Sequence, residues 1–152
     1  MGLNFRDYIK GDYEKYIQVL VKDNMEQLFI ENFGGWSDLV SEKKFFDVVN
    51  SGFVQLFFLD DIFVGYVSFN PEKNYDNSYL INDIHIVKKF QRKGYGSEIL
   101  NFVIKKTTEL NCKRLKIFVF ENNPSINFYK KNKFKTIEFL EKSKTCVMVK
   151  DI

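Results

Sequence analysis

The part of the sequence with the clearest chemical character is a basic stretch with two glycines, which reads Gln91, Arg92, Lys93, Gly94, Tyr95, Gly96 and Ser97. An apolar, β-branched run of strand length, 80–87, precedes it, and apolar residues at helical spacing follow it from Ile99 onward. The N–H groups in the first turn of a helix lack intrahelical partners and carry the positive end of the helix dipole. Glycine lets a ligand approach the backbone closely. The order of strand, glycine turn and helix therefore predicts a cradle for a phosphate or pyrophosphate group.

Two common phosphate-binding patterns do not fit this stretch. No Gly-Lys-Ser/Thr follows at the P-loop spacing, and no third glycine follows Gly96 at the dinucleotide-binding spacing. The plain alternative is a strand-to-helix connection whose lysines lie in solvent. On these residues alone both interpretations are open.

A second block, residues 122–134, reads Asn-Asn-Pro-Ser-Ile-Asn-Phe-Tyr-Lys-Lys-Asn-Lys-Phe. Together with the Gln-x-x-Gly-x-Gly pattern of residues 91–96, it resembles motifs B and A of the GNAT N-acetyltransferase superfamily. The positions that match motif B are Asn122, Ser125, Tyr129 and Phe134, and Lys133 stands where the family usually has glycine.

The resemblance implies an α/β fold in one domain, residues 1–152. The fold would have a mixed, largely antiparallel twisted sheet of about six or seven strands, flanked by about four helices. In this family two neighbouring parallel strands splay apart and hold the cofactor. Hydrophobic periodicity predicts strands at about 3–9, 53–59, 62–69, 80–87, 114–120, 134–140 and 145–150. It predicts helices at about 12–32, 37–49, 98–110 and 124–132, with Asp12 capping the first and Ser37 or Asp38 the second.

The resemblance also implies acetyl-CoA as acyl donor, an amine as acceptor, and direct transfer in a ternary complex. The residues implied to bind the cofactor are Ile84, Ile86, Gln91, Arg92, Lys93, Gly94, Tyr95, Gly96, Ser97, Asn122, Ser125 and Tyr129. The backbone of Ile84 and Ile86 would pair with the pantetheine arm, although the side chains of both can equally be core. An N–H group, that of Ile84, would stabilise the developing oxyanion.

Tyr129 is the implied general acid, because a phenol near the leaving thiolate can protonate it. In a chain with eight tyrosines, the alternative is a core aromatic residue. The general base is less defined. Family members often carry a carboxylate or histidine at the positions that are Leu80 and Asn82 here.

Three routes for proton removal stay open. His85, the only histidine, and Asp83 can ionise, but both have the other strand parity unless a bulge re-aims them. The third route is a water held by Asn82 and main-chain carbonyls. Strand parity favours this route, because His85 alternates away from Asn82, Ile84 and Ile86. A structural, hydrogen-bonded histidine is the alternative role for His85.

The acceptor amine is expected between the first two helices. Aromatic and acidic side chains lie there together in the sequence, namely Glu26, Phe29, Glu31, Phe33 and Trp36. Aromatic faces and carboxylates both attract a cationic amine. Core packing of the aromatic residues and solvent exposure of the acids are the alternative.

Composition limits the remaining possibilities. The net charge of +3 is too small to argue for a nucleic-acid partner, and no apolar run has the length of a membrane span. Cys112 and Cys146 are not spaced as a metal pair, so no metal is expected, and a reducing cytoplasm fits them best. A monomer or a homodimer is expected. Two rival interpretations stay open: an acetyl-CoA-binding protein with little catalysis that acts as a sensor or interaction module, and an unrelated phosphate-binding domain.

Overall fold

A computed structural model describes residues 2–152 of the chain. The strands, in chain order, are β1 (Asn4–Asp7), β2 (Phe53–Leu59), β3 (Ile62–Pro71), β4 (Ser78–Ile86), β5 (Arg114–Phe120), β6 (Lys135–Leu140) and β7 (Thr145–Asp151). The helices are α1 (Gln18–Phe33), α2 (Asp38–Ser51), α3 (Tyr95–Glu109) and α4 (Ser125–Lys131). A π-helical turn, Tyr13–Ile17, leads into α1, and a 3-10 turn, Lys88–Phe90, follows β4.

The seven strands form one sheet in the order β1-β2-β3-β4-β5-β7-β6. Every neighbouring pair is antiparallel except β4 and β5, which are parallel. This mixed, mostly antiparallel sheet with helices on both faces is the fold class that the motifs predicted.

Each face of the sheet has its own apolar cluster, since alternate strand residues point to opposite sides. One cluster joins the π turn, α1 and α2 to Val54, Leu56 and Tyr66. The other contains Ile99, Leu100 and Val103 of α3, together with Tyr129 and strand residues from the opposite face. The strand pair β4 and β5 therefore lies between two helical layers, which can each supply side chains to a site there.

The predicted helix caps had different outcomes. The Ser37 hydroxyl accepts a hydrogen bond from the Val40 N–H at 3.2 Å, which confirms it as the N-cap of α2. Asp12 occupies the N-cap position of the π-helical turn as predicted, but its side chain makes no capping hydrogen bond. Its carboxylate points back toward β1 and accepts hydrogen bonds from the Arg6 guanidinium and the Ile9 N–H, so it ties β1 to the helical layer.

In residues 2–152, no helix combines the length and the apolar character that crossing a membrane would require.

Candidate active site

The connection from β4 to α3 leaves the N-terminus of α3 open. Residues 91–94 are exposed, and Gly94 is the N-cap residue in the left-handed region at φ 89°. The Glu98 N–H donates to the Gly94 carbonyl at 3.2 Å, so the N–H groups of Tyr95, Gly96 and Ser97 have no intrahelical acceptor. Arg92, also at positive φ (60°), and Lys93 lie beside them. This arrangement fits a bound phosphate or pyrophosphate group.

The two glycines of this stretch serve different purposes. A Cβ on Gly94 would meet nothing within 4 Å, so Gly94 is needed for its positive φ. A Cβ on Gly96 would lie 3.3 Å from the ring of Phe128, a side chain on α4. Gly96 therefore lets α3 and α4 pack closely, whereas the sequence suggested only a close approach of a ligand.

The parallel strands β4 and β5 separate toward their C-terminal ends. Among the described residues their parallel pairing covers Ser78 to Leu80 against Arg114 to Lys116, although β4 continues to Ile86 and β5 to Phe120. The gap exposes main-chain groups of β4. The Val87 N–H donates to the Val64 carbonyl at 2.8 Å, and antiparallel pairs alternate in their hydrogen bonding. Ile84 and Ile86 therefore direct their N–H and carbonyl groups away from β3, toward the gap.

The Ile86 carbonyl already has partners. The Gln91 side chain donates to it at 3.0 Å, and the Asn24 side chain donates to it at 3.4 Å. Gln91 thus lies between the end of β4 and the cradle.

A bulge in β4 decides which of its side chains face α1 and α2. Ser68 pairs with Asp83 and Phe69 pairs with Ile81, so Asn82 is the extra residue. Tyr79 and Ile81 before the bulge, and Ile84 and Ile86 after it, pack against the α3 cluster. The bulge reverses the strand parity and turns Asp83 and His85 toward α1 and α2.

Asn82 therefore does not share a face with Ile84 and Ile86, and that expectation from strand parity is wrong. Asn82 and Asp83 both line a cavity between the sheet and the first two helices. The Asn82 amide donates to the Asn70 side-chain oxygen at 2.7 Å.

Asp83 is the end of a chain of hydrogen bonds that begins on α1. The Asn24 amide nitrogen lies 3.2 Å from Nδ1 of His85, and Nε2 of His85 lies 3.2 Å from one oxygen of Asp83. The Tyr66 hydroxyl donates to the other oxygen of Asp83 at 3.0 Å. Because the Ile86 carbonyl can only accept, it fixes the orientation of the Asn24 amide.

This orientation also fixes the histidine tautomer. The Asn24 amide nitrogen can only donate, so Nδ1 of His85 accepts and the proton is on Nε2, which donates to Asp83. His85 is buried and lies outside the residues that line the cavity, whereas the side chain of Asp83 is 32% exposed. Asp83 can thus reach a ligand in the cavity, and His85 holds Asp83 in place.

Two buried tyrosines stay neutral beside Asp83. Burial, and next the negative charge of Asp83, raise the pKa of Tyr66 well above its usual value, and the same two causes raise the pKa of Tyr129. The ring of Tyr129 packs against Phe128 and Phe134, at centroid distances of 5.1 and 5.4 Å. Within residues 2–152, no hydrogen bond contributes to the raised pKa of Tyr129. Tyr129 thus keeps its proton and has a donor to offer.

The cavity has a volume of about 800 Å³, and of the predicted acceptor residues Phe29, Phe33 and Trp36 line it. Glu26 does not. Its carboxylate lies 3.9 Å from Lys22 on the surface of α1. Glu31 lies at a smaller polar pocket nearby, where its carboxylate accepts from the Asn122 amide at 2.9 Å.

The motif B residues also lie in different parts of the structure. Tyr129 lies in the core beside the parted strands, and Ser125 begins α4, its N–H donating to the Asn123 side chain at 2.9 Å. The Asn122 side chain is bound to the end of α1, by Glu31 and by an Asn32 bond of 2.9 Å. In this structure Asn122 therefore connects α1 to the start of α4 and does not point into the large cavity.

Three features of the site do not follow from the sequence alone. Strand parity turns Asp83 away unless a bulge intervenes, and that bulge depends on the pairing partner, β3. Asn24 carried no motif signal. Phe118 and Phe120 line the cavity because they lie on β5 past the point where the strands part.

Among residues 2–152, no three acidic, histidine or cysteine side chains come together in a way that could hold a metal ion.

Comparisons with known proteins agree with this architecture. The profile of the acetyltransferase (GNAT) family matches residues 21–134, more than half of the chain. No curated protein sequence matches the chain.

Solved structures share the fold at low sequence identity. PaiA N-acetyltransferase from Thermoplasma acidophilum, in complex with coenzyme A, is 17% identical, covers 100% of both chains and has a TM-score of 0.78. Arabidopsis thaliana Naa50, in complex with the bisubstrate analogue CoA-Ac-MVNAL, is 20% identical over 100% of both chains, with a TM-score of 0.76. Ribosomal-protein-alanine N-acetyltransferase from Brucella melitensis is 17% identical over 99% of this chain and 100% of its own, also with a TM-score of 0.76.

Proposed function

Because the chain belongs to the GNAT acetyltransferase family, we propose that it transfers an acetyl group from acetyl-CoA to a primary amine, with both substrates bound together. One observation carries this proposal. The gap between β4 and β5 has a phosphate cradle at its end and a carboxylate-containing cavity beside it. The coenzyme A complexes of PaiA N-acetyltransferase and Naa50, which share the fold, support the choice of donor.

In this proposal, acetyl-CoA is bound mainly by main-chain groups. The free N–H groups of Tyr95, Gly96 and Ser97 would hold the pyrophosphate, and Arg92 and Lys93 would add positive charge. Gln91 would border that site. The main-chain groups of Ile84 and Ile86 would pair with the pantetheine arm, and Asn122 and Ser125 would border it at the start of α4.

Acetyl-CoA supplies the acetyl group as a thioester, and the bond between the acetyl carbon and sulfur is the one that breaks. The Ile84 N–H would donate to the carbonyl oxygen as negative charge develops there. Tyr129 would give its proton to the departing sulfur. Its raised pKa keeps that proton in place until it is needed.

Asp83 would take the proton from the attacking amine. It is the ionisable group of β4 that lines the cavity, and His85 and Tyr66 fix both of its oxygens. Asn82, next to it, would orient the amine or a water molecule. In this scheme His85 is a positioning residue, and the proton leaves the amine without passing through the imidazole.

The proposal includes a single domain over residues 1–152, a monomer or homodimer, and a cytoplasmic location. The thiols of Cys112 and Cys146 support that location, because both are free and buried, as is usual in a reducing compartment.

The decisive experiment measures release of the coenzyme A thiol with a panel of primary amines, alongside calorimetric binding of acetyl-CoA. We expect amine-dependent turnover in the wild type. In Asp83→Asn we expect a turnover number lower by about a hundredfold or more, with donor affinity unchanged. Donor binding without turnover of any amine would refute the enzyme and favour a sensor or interaction module.

A further inference from the structure

The acceptor cavity has a composition that selects among amines. Five aromatic side chains, which we call the aromatic wall, form its side toward α1 and β5: Phe29, Phe33, Trp36, Phe118 and Phe120. Phe29 is the centre of the wall, with ring centroids 5.3 Å from Trp36, 5.3 Å from Phe120 and 5.6 Å from Phe33. An extended aromatic surface of this kind binds an apolar body rather than a hydrated chain.

Part of the apolar lining is exposed. Phe33 is 60% exposed, Val40 is 51% exposed and Phe118 is 49% exposed, and all three line the same cavity. Large apolar side chains grouped around a concave site indicate a ligand that covers them. A small or strongly hydrated amine would leave this surface in water.

The charges of the cavity suit one ammonium group. Its charged lining residues are Lys44, Asp47 and Asp83. Asp47 pairs with Lys43, 3.0 Å away, and Lys44 lies over the Phe29 ring at 5.9 Å, where it repels a second cation. In residues 2–152, no lysine or arginine pairs with Asp83, so its carboxylate is free to attract the reacting amine.

We propose that the acceptor is a monocationic primary amine attached to a large apolar or aromatic group, with the amine at Asp83 and the apolar group on the aromatic wall. This inference rests on the proposed acetyl transfer and names its substrate class. Two sources have this chemistry: a free arylalkylamine, and a peptide whose first residue is large and apolar. Polyamines are disfavoured, since each further ammonium group would need a carboxylate besides Asp83, and the other carboxylate of the lining, Asp47, already pairs with Lys43.

The test compares kcat/KM for four acceptors: 2-phenylethylamine, a peptide with N-terminal Phe, the same peptide with N-terminal Gly, and spermidine. We expect at least one of the two aromatic acceptors to exceed both others by on the order of tenfold or more. Preference for 2-phenylethylamine identifies a small-molecule source, and preference for the Phe peptide identifies an N-terminal one. A preference for spermidine or the Gly peptide would overturn the inference while leaving acetyl transfer intact.

A matched pair of variants links the preference to the wall. Phe118 and Phe139 are both exposed phenylalanines, at 49% and 41%, on β5 and β6, but only Phe118 lines the cavity. Phe118→Ser should lower kcat/KM for the preferred aromatic acceptor by on the order of tenfold. Phe139→Ser should leave it unchanged. Equal losses in the two variants would refute a specific role for the wall.

Turnover of no amine would refute the proposed function, and direct binding would then decide the inference separately. Calorimetry of 2-phenylethylamine and the Phe peptide with the coenzyme A-loaded protein should show binding that Phe118→Ser weakens. Absence of binding by both would overturn the inference on its own.

Discussion

Among single residues, the proposed chemistry depends on Asp83 and Tyr129, which lie in different electrostatic environments. Asp83 is partly exposed and accepts two hydrogen bonds, which suits a charged carboxylate. Tyr129 is buried, and its raised pKa suits a neutral phenol. A proton acceptor and a proton donor can therefore act in one reaction at the same pH.

Tyr129→Phe tests the donor. The ring and its contacts with Phe128 and Phe134 stay, and only the hydroxyl is lost. We expect unchanged acetyl-CoA affinity and a turnover number lower by about a hundredfold. Because the pKa of Tyr129 is raised, its deprotonation should produce no alkaline limb in the accessible pH range. A decrease below about threefold would be too small for a general acid and would make Tyr129 structural.

His85→Gln separates the two candidate bases. If Asp83 takes the proton, this variant should lose only part of its turnover, about tenfold, because Asp83 has lost a positioning contact. If His85 is the base, turnover should fall by about a hundredfold or more. Asn24→Ala should resemble His85→Gln in the first case, since Asn24 reaches Asp83 only through the imidazole.

Most candidate residues could be identified from the sequence, but the face of the sheet toward which each side chain points could not. The glycine spacing and the motif B spacing identified residues that lie around the parted strands. The position of Asp83 depended on one extra residue, Asn82, opposite the step from Ser68 to Phe69. A bulge is a property of two paired strands, so the sequence of β4 alone could raise it as a condition but could not decide it.

The turn after helix α4 contains a residue with a strained backbone angle. Lys133 follows the C-cap residue Asn132 and has φ 72°, and the Phe134 N–H donates to the Tyr129 carbonyl at 3.0 Å. A residue with a Cβ atom is destabilised in the left-handed conformation, whereas glycine is not. This explains in physical terms why a glycine suits this position of the motif.

Lys133→Gly should therefore raise the free energy of unfolding by about 1 kcal/mol. The matched control is Lys130→Gly, at an exposed position within α4, which should lower it by roughly 0.5–1 kcal/mol. Denaturant titration measures both. Destabilisation by both substitutions would show that φ at Lys133 is not under strain.

The contact between β1 and the helical layer predicts a pH dependence. Burial raises the pKa of Asp12, but hydrogen bonds from Arg6 and from the Ile9 N–H outweigh burial, and the pKa lies below its usual 3.8. A carboxylate with a lowered folded-state pKa stabilises fully above its unfolded pKa, and this stabilisation is lost as the pH falls through the folded value.

We therefore expect Asp12→Asn to lower the free energy of unfolding by about 1–3 kcal/mol at neutral pH. The difference from wild type should shrink below about pH 4. Asp61→Asn, in the exposed turn between β2 and β3, is the control and should change little. A difference that is constant with pH would rule out the ion pair as its source.

Hydrophobic periodicity located the helices and strands because their apolar residues supply the two core clusters. The bounds of β2 and β5 were predicted to the residue, since turn residues or a change of period flank both. The role of Asp12 was missed for a physical reason. A side chain before a helix can bond forward to that helix or backward to another element, and only the packed structure supplies Arg6 as the competing partner.

The molecule as a whole is organised by the interruption of its sheet. Strand pairing holds β4 and β5 together up to Leu80 and Lys116, where Lys116 forms a largely buried ion pair with Glu72. Glu72 also accepts a hydrogen bond from Ser78 at 2.7 Å, so the closed end of the gap is fixed by polar contacts. Each side of the open end then faces a different helical layer, which keeps the donor cradle and the acceptor cavity apart.

A ligand that binds only the folded chain raises its stability in proportion to the logarithm of its concentration, so thermal unfolding tests the choice of donor. At a hundred times its dissociation constant, acetyl-CoA should add about 2.7 kcal/mol. For a chain of this size that corresponds to a rise in Tm of roughly 5 to 10 °C. ATP and NAD at equal concentration should shift Tm far less, because neither has an arm that would pair along β4.

Gly94→Val should lose the response to acetyl-CoA, since valine does not adopt the φ of 89° that shapes the cradle. Folding of that variant is checked by its own cooperative transition. Equal shifts with all three ligands would indicate a general phosphate-binding domain, and a full acetyl-CoA shift in folded Gly94→Val would refute the cradle.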